Sequence, residues 1–242
     1  MIAPHQTEST KHATAPHAPP FHKIQHLLAT RSSWQILHHR QAKETRRTVF
    51  VAQDRYIIKQ FEIPERCRHY RRPWLIEHRA LQRLNGRHAP RSHGYLEAQA
   101  DGIKSVWLIK DFIPGRIVEA FTPQEIPVVA RLMAQLHHHG VAPNDANIAN
   151  FVRTPAGEIL YLDFGRAILW RRAPLRSILY IGHDLAKFRR EIFRENLRQY
   201  QEFLHHHLAA LATPPVRRRA IRLAARYHYF HRSIRKSVIS NR

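Results

Sequence analysis

Glycine is missing from the first third of this chain: only eight occur in 242 residues, and the first is Gly86. A glycine-rich loop that wraps backbone N–H groups around a phosphate is therefore excluded before that point. A single cysteine, Cys67, excludes an internal disulfide framework and suits a reducing compartment. No window approaches eighteen consecutive apolar residues, so no transmembrane helix is expected. The stretch after Met1 lacks the basic start and apolar run of a secretory signal. Acidic side chains are scarce: 18 Asp and Glu stand against 40 Lys and Arg, a formal charge of +22. Such a surplus does not fit an ordinary enzyme of neutral metabolites. It builds a field that attracts anions, whether nucleic acid, phosphorylated glycolipid or an acidic membrane face. Zinc-finger and RNA-recognition signatures are also missing, so nucleic acid is not the expected partner. Together these absences point to the cytosol, with attachment to a membrane surface as an accompanying expectation.

What is present is a hydrophobic fraction of 43%, enough at this length for one core or for two small lobes around a cleft. Residues 1–20 are rich in Pro, Ala, His and Thr without a period and predict a disordered tail. A short helix is expected from Phe21 to Ala29. From Trp34 the runs WQILHH, TVFVAQ and YIIKQF, separated by polar turns, predict an antiparallel meander. After the basic linker ERCRHYRRP, Pro73 precedes a helical stripe of Leu75, Ala80, Leu81 and Leu84. SVWLIKDF is a further strand. Thr122 and Pro123 start a helix that runs to His139. The Phe151-Val152 pair, a Pro-Ala-Gly turn and EILYLDF form a second hairpin, and everything from about Ile181 onward is helical, broken at Pro214-Pro215. This order predicts an α+β protein of two lobes: residues 21–112 as a small antiparallel-sheet lobe, residues 113–242 as a mainly helical one.

The chemistry concentrates between His139 and Gly165. Asp145 is followed five residues later by Asn150, and the strand LYLDFG ends on Asp163-Phe164-Gly165. Phosphoryl transfer needs hard oxygen ligands for Mg²⁺ and an acceptor for the proton of the attacking hydroxyl. An Asp, an amide oxygen five residues on and a second Asp at a strand end supply those parts. Upstream, Lys59 lies on an apolar strand and Glu77 follows eighteen residues later on a helix, a pairing that can grip phosphates. LIKDF followed by Pro114-Gly115 has the form of a strand entering a hinge, where backbone groups from Asp111 to Ile113 can meet adenine edges.

The ordered set IIK, a helix Glu, LIKDFIPG, HHGVAPNDANIANF and LYLDFG resembles the lipopolysaccharide kinases of the protein-kinase-like superfamily. It is most similar to the core heptose kinases, with the Kdo kinases as near relatives, over roughly residues 45 to 190. The resemblance implies a bilobal protein-kinase-like fold that uses ATP and Mg²⁺. Its substrate would be a heptose or Kdo hydroxyl of the lipopolysaccharide inner core, on the cytosolic face of the inner membrane. It assigns Lys59 to the phosphates with Glu77 as partner, Asp145 as catalytic base, and Asn150 and Asp163 as metal ligands. It makes Asp111 and Ile113 nucleotide-binding, Asp184 a brace for the catalytic loop, and His139 a neighbour of that loop. Three departures count against a conventional protein kinase. No glycine-rich loop exists, so the turn from Lys43 to Arg47 takes its place. Pro143-Asn144 stands where His-Arg is usual, and Asn147 stands where lysine is common.

Two other readings remain open on sequence. One is an atypical protein kinase or an aminoglycoside-type small-molecule kinase. The other is a pseudokinase or basic membrane-binding module. From Phe203 on there is no Asp or Glu. There Arg217, Arg218, Arg219 and Arg222 are expected to form a basic patch for anionic lipid or phosphorylated saccharide, with Ile221, Ala224, Ala225 and Tyr229 packing inward.

Overall fold

The computed structural model describes residues 33–42, 44–67, 71–171 and 174–240, the side chains excepted at 42, 174 and 232–240. The expected tail over residues 1–20 and the expected helix from Phe21 to Ala29 lie outside them, as does Lys43. The described chain is a mixed α/β structure in two compact units. One holds the residues up to Gly86 together with Pro90–Ile113; the other holds Arg87–Ala89 and the residues from Pro114 on.

The first unit is a five-stranded antiparallel sheet with one helix. Strands β1 (Gln35–Ala42), β2 (Thr45–Ala52), β3 (Tyr56–Pro64), β4 (Ser92–Ala100) and β5 (Ile103–Asp111) stand in the order β1-β2-β3-β5-β4. Helix α1 (Pro73–Leu84) begins on Pro73, where a missing N–H costs nothing. It ends on Asn85 in the left-handed region at φ 47°, a conformation that asparagine tolerates.

Period-two alternation sorts the sheet residues between two faces. Ile58 and Ile109 pack with Trp34, Phe50 and Leu96 on one face. Phe61, Val106 and Leu108 pack with Trp74 of α1 on the other. By the same alternation Lys59 and Lys110 fall on the face that α1 covers. The register pairs Lys59 with Leu108 and Ile57 with Lys110, so the two lysines are diagonal neighbours.

The second unit opens with the three-stranded sheet β6-β8-β9, made by β6 (Arg116–Ile117), β8 (Phe151–Arg153) and β9 (Ile159–Tyr161). Gly115, at φ 156°, lets β6 approach: a Cβ there would sit 2.4 Å from the Arg153 carbonyl oxygen. The helix expected from Thr122 is divided. Thr122 donates its N–H to the Glu125 carboxylate at 2.8 Å across a 3-10 turn, Pro123–Glu125, and α2 (Ile126–His138) follows. Strands β7 (Val141–Ala142) and β10 (Ile168–Leu169) pair antiparallel.

Three helices complete the unit: α3 (Pro174–Glu191), α4 (Leu197–Ala210) and α5 (Pro215–Ser240). Helix α3 starts earlier than expected and breaks over residues 192–196; the break before Pro215 lies where the proline pair puts it. Helix α2 packs on α4 and α3 on α5. The α3–α5 approach needs Gly182, where a Cβ would lie 2.6 Å from the Ala224 Cβ.

The expected arginine patch is partial. Arg217 turns inward and its Nη2 donates to Ser177 Oγ at 2.9 Å, while Arg219 and Arg222 are exposed. Among the described residues no helix is long and apolar enough to cross a membrane.

Candidate functional site

In the first unit, Glu77 is placed one turn after Trp74 on the buried face of α1. Its carboxylate receives both lysines. Lys59 Nζ donates to Oε1 at 2.9 Å and to Oε2 at 2.8 Å, and Lys110 Nζ donates to Oε1 at 2.7 Å. All three side chains are buried, with 6%, 4% and 1% of the Lys59, Lys110 and Glu77 side chains exposed. Charges withdrawn from water this far require matched partners, and the helix over the sheet supplies a carboxylate that both lysines share. Lys110 is the member that sequence reasoning missed. Its strand was legible, but its meeting with Glu77 depends on the β3–β5 register.

At the end of β5, Asp111 is engaged inside its own unit. Its Oδ1 takes His93 Nε2 at 2.6 Å, its Oδ2 takes the Arg91 N–H at 3.2 Å, and its own N–H goes to the Arg91 carbonyl. Burial alone would raise the Asp111 carboxyl, but the His93 hydrogen bond and charge, with the Arg91 N–H, outweigh it and hold it below the usual range. The Phe112 N–H goes to Arg55. Ile113, the last residue of the unit, follows.

The second unit carries the other candidates on one loop. Asn144 sits at φ 57°, a left-handed turn that aims Asp145 out of the backbone. That turn is held from three sides. The Asn144 N–H donates to Asp184 Oδ1 at 2.9 Å, its side-chain amide donates to the Arg166 carbonyl at 3.2 Å, and its carbonyl accepts from Lys187 Nζ at 2.6 Å. Asp184 is fully buried on α3, and its Oδ2 meets His137 Nε2 at 3.0 Å. The histidine expected beside the loop is thus His137 rather than His139. His139 caps the end of α2 and meets His138 edge-on. His137 continues to His207 across 2.8 Å, so one member of each histidine run is buried in the same network. Helical spacing explains the difference: His137 is on the face of α2 that α4 covers.

Register brings the two proposed metal ligands to one end of the β8–β9 hairpin. Phe151 pairs with Tyr161, so Asn150, just before β8, lies opposite Leu162, whose N–H donates to the Asn150 carbonyl at 2.8 Å; Asp163 is next. The Asn150 amide nitrogen donates to the Asp145 carbonyl and to the Tyr161 hydroxyl, both at 3.2 Å. With both hydrogens engaged, the side-chain oxygen of Asn150 is turned the other way as an acceptor. Tyr161 O–H donates to the same Asp145 carbonyl. Its phenol is pushed well above its ordinary value, first by complete burial and then by Asp184, so it stays protonated as a donor. Asp163 Oδ1 accepts the Gly165 N–H at 3.0 Å, which fixes the carboxylate at the strand end.

Asp145 itself is half-exposed, with Arg166 Nη1 4.0 Å from its Oδ1. It lines an open cavity of about 380 Å³ with Asn147, Arg166, Lys187 and Glu191. The donors fit Mg²⁺ by type, since an amide oxygen and a carboxylate are hard ligands. Among the described residues no group of three His, Cys, Asp or Glu is placed to hold a metal ion. Asn150 and Asp163, one amide and one carboxylate, are not such a group.

Comparison with known proteins gives little. No family model matches the chain, and no curated protein matches it. Among solved structures it is similar to a crystal structure of monomeric WbdD, at 17% identity and a TM-score of 0.48, over 74% of this chain and 43% of that one. The chain therefore spans less than half of that structure's length. The functional reading rests on the geometry of the site.

Proposed function

We propose that this chain is an ATP-dependent phosphotransferase of bilobal, protein-kinase-like architecture. It moves the γ-phosphate to a sugar hydroxyl, a heptose or Kdo, of the lipopolysaccharide inner core. The observation that carries this reading is the Asn150 side chain. Its amide hydrogens are engaged by the Asp145 carbonyl and the Tyr161 hydroxyl, which leaves its oxygen as the acceptor, at the end of the hairpin that Asp163 follows.

The protein's part in such a transfer is positioning. Mg²⁺ would be held by the Asn150 side-chain oxygen and the Asp163 carboxylate, and would shield the phosphate charge. Lys59 contributes its ammonium to the α- and β-phosphate oxygens, with Glu77 holding it in one rotamer. A base edge is met by the Asp111 carbonyl and the Ile113 N–H, since the N–H groups of Asp111 and Phe112 are already bonded within the first unit. Asp145 accepts the proton of the acceptor hydroxyl. Its carbonyl is bonded by Tyr161, Asn150 and the Asn147 N–H, so the loop that bears it does not drift. Asp184 and His137 brace the same loop from behind.

The acceptor class is read from charge. Arg166 and Lys187 line the same cavity with Glu191, so an acceptor there meets charges of both signs, and it is the surplus of the whole chain that supports an anionic one. A core sugar carrying carboxylates and phosphates has that chemistry, and the net charge of +22 favours its capture.

The test is incubation with Mg²⁺ and γ-labelled ATP against three acceptors: dephosphorylated inner-core oligosaccharide, an aminoglycoside and a protein panel. Label on the oligosaccharide, lost in Asp163→Ala, is the expected result. Label on the aminoglycoside or a protein would transfer the assignment to that class, and no label on any acceptor would leave a binding module.

A further inference from the structure

In the second unit, α4 and α5 flank a groove of about 550 Å³, within the range that seats a sizeable ligand. We propose that this groove takes an acyl chain and the adjoining anionic headgroup of a membrane lipid, and so docks the unit on an anionic bilayer. Nothing in the phosphotransfer reading uses these residues, and the proposal does not rest on it.

Three observations converge on that occupant. The groove is apolar along Leu197, Leu204 and Ala225 and ends at Phe230, while Arg189, Arg222 and Arg226 stand around it. No acidic side chain lines it, and none occurs from Phe203 to the end of the chain. Arg189 is already fixed. Its guanidinium lies 5.5 Å from the Tyr200 ring and 5.3 Å from the Tyr229 ring, and Nη1 donates to the Phe193 carbonyl at 3.0 Å. A cation held between two rings offers its charge to an incoming anion with little further ordering.

The third observation is the outward face of α5. Ile221, Ala224 and Ala225 are buried, which accounts for the core stripe. The exposed side should then be polar, yet Leu223, Tyr227 and Phe230 are 58%, 60% and 55% exposed, interleaved with exposed Arg222 and Arg226. Water favours none of those apolar side chains, whereas the boundary between headgroups and acyl chains accommodates this mixture. A free phosphate would use the arginines and leave the apolar floor unmatched. A second copy of this chain would bring more positive charge to a groove without acids.

The experiment is co-sedimentation with vesicles of phosphatidylglycerol and phosphatidylcholine, and of phosphatidylcholine alone, at 0.1 and 0.5 M salt. Arg222→Gln with Arg226→Gln should weaken partitioning to the anionic vesicles at low salt by about fivefold per arginine. Leu197→Ser with Phe230→Ser should weaken it by about tenfold, and that loss should persist at high salt because burial of apolar surface is not screened. Leu197 and Phe230 are half-exposed, so both pairs should keep wild-type circular dichroism and wild-type turnover on a soluble acceptor. A lipid with a photoactivatable acyl chain should label residues between Leu197 and Phe230. Three results would each overturn the proposal: wild-type binding by the Ser pair, equal binding to neutral vesicles, or displacement by millimolar inorganic phosphate. Self-association lost in the Ser pair without any vesicle binding would assign the groove to a second copy instead.

Discussion

Glu77 and Asp145 are both carboxylates at the centre of a charged cluster, yet 1% of the first side chain is exposed and 35% of the second. Glu77 lies within 2.9 Å of two buried ammonium groups, whereas the cation noted beside Asp145 is a largely exposed guanidinium 4.0 Å away. In the first unit the charges are themselves part of the core, so they contribute to folding and to the proposed chemistry together. In the second unit the two tasks are separated. Asp184, His137 and Tyr161 hold the loop from inside, and Asp145 is left half in solvent. Substitution should therefore damage stability in one cluster and turnover in the other.

The largest effect is expected at Glu77. Glu77→Ala removes the carboxylate that buried Lys59 and Lys110 share and should destabilise the protein by about 3–5 kcal/mol, read as the shift in urea midpoint. The combined variant Lys59→Met, Glu77→Leu, Lys110→Met removes every charge of the cluster and should recover most of that loss while phosphotransfer stays absent. Recovery of turnover along with stability would mean that the lysines only fill the core.

Next in size is Asp184→Ala. It removes the partners of the Asn144 N–H and of His137 Nε2, at about 1–3 kcal/mol per buried group left unpaired, and it should also lower turnover by releasing the loop. Asp184→Asn keeps an acceptor for the Asn144 N–H and should retain more of both. If Asp184→Ala lost stability with no change in turnover, the brace would be structural only.

A smaller and graded effect is expected from pH. Burial first, then the nearby Lys187 charge, lowers His183 to about 4, and burial holds His207 well below its ordinary value. Both histidines are neutral in the folded chain above these values. The unfolded chain takes up protons near pH 6.5, so stability is full above that pH and falls as pH drops toward 4. From pH 7 to 4 the thermal midpoint of wild type should fall faster than that of His183→Gln, which has no group to titrate there. Parallel curves would remove His183 from the account.

Much of this architecture is legible in the sequence where local pattern dominates. The runs around Ile36, Val49 and Ile58 are rich in β-branched and aromatic residues between polar turns, and in α1 the expected Ala80, Leu81 and Leu84 are buried while Leu75 is only partly so. Strand β4 was not legible. It is an edge strand with Gly94 and Glu97 inside it and an exposed end at residues 98–100, so its alternation is confined to Gly94 and Leu96. The two-residue strands β6, β7 and β10 are too short to carry a period at all. For the site, motif spacing named Lys59, Glu77, Asp145, Asn150 and Asp163. The partners Lys110, Tyr161, His137 and Lys187 come from cross-strand register and helix packing, which link residues far apart in sequence.

The separation of folding from chemistry in the second unit is tested most directly at Asp145. Asp145→Asn should be measured for phosphate transfer to the core oligosaccharide and for thermal midpoint on the same sample. Turnover should fall by about 10²–10⁴, the usual contribution of a positioned base, with the midpoint changed by no more than about 0.5 kcal/mol equivalent. Turnover near that of wild type in a folded Asp145→Asn protein would contradict the assignment of this loop to phosphoryl transfer.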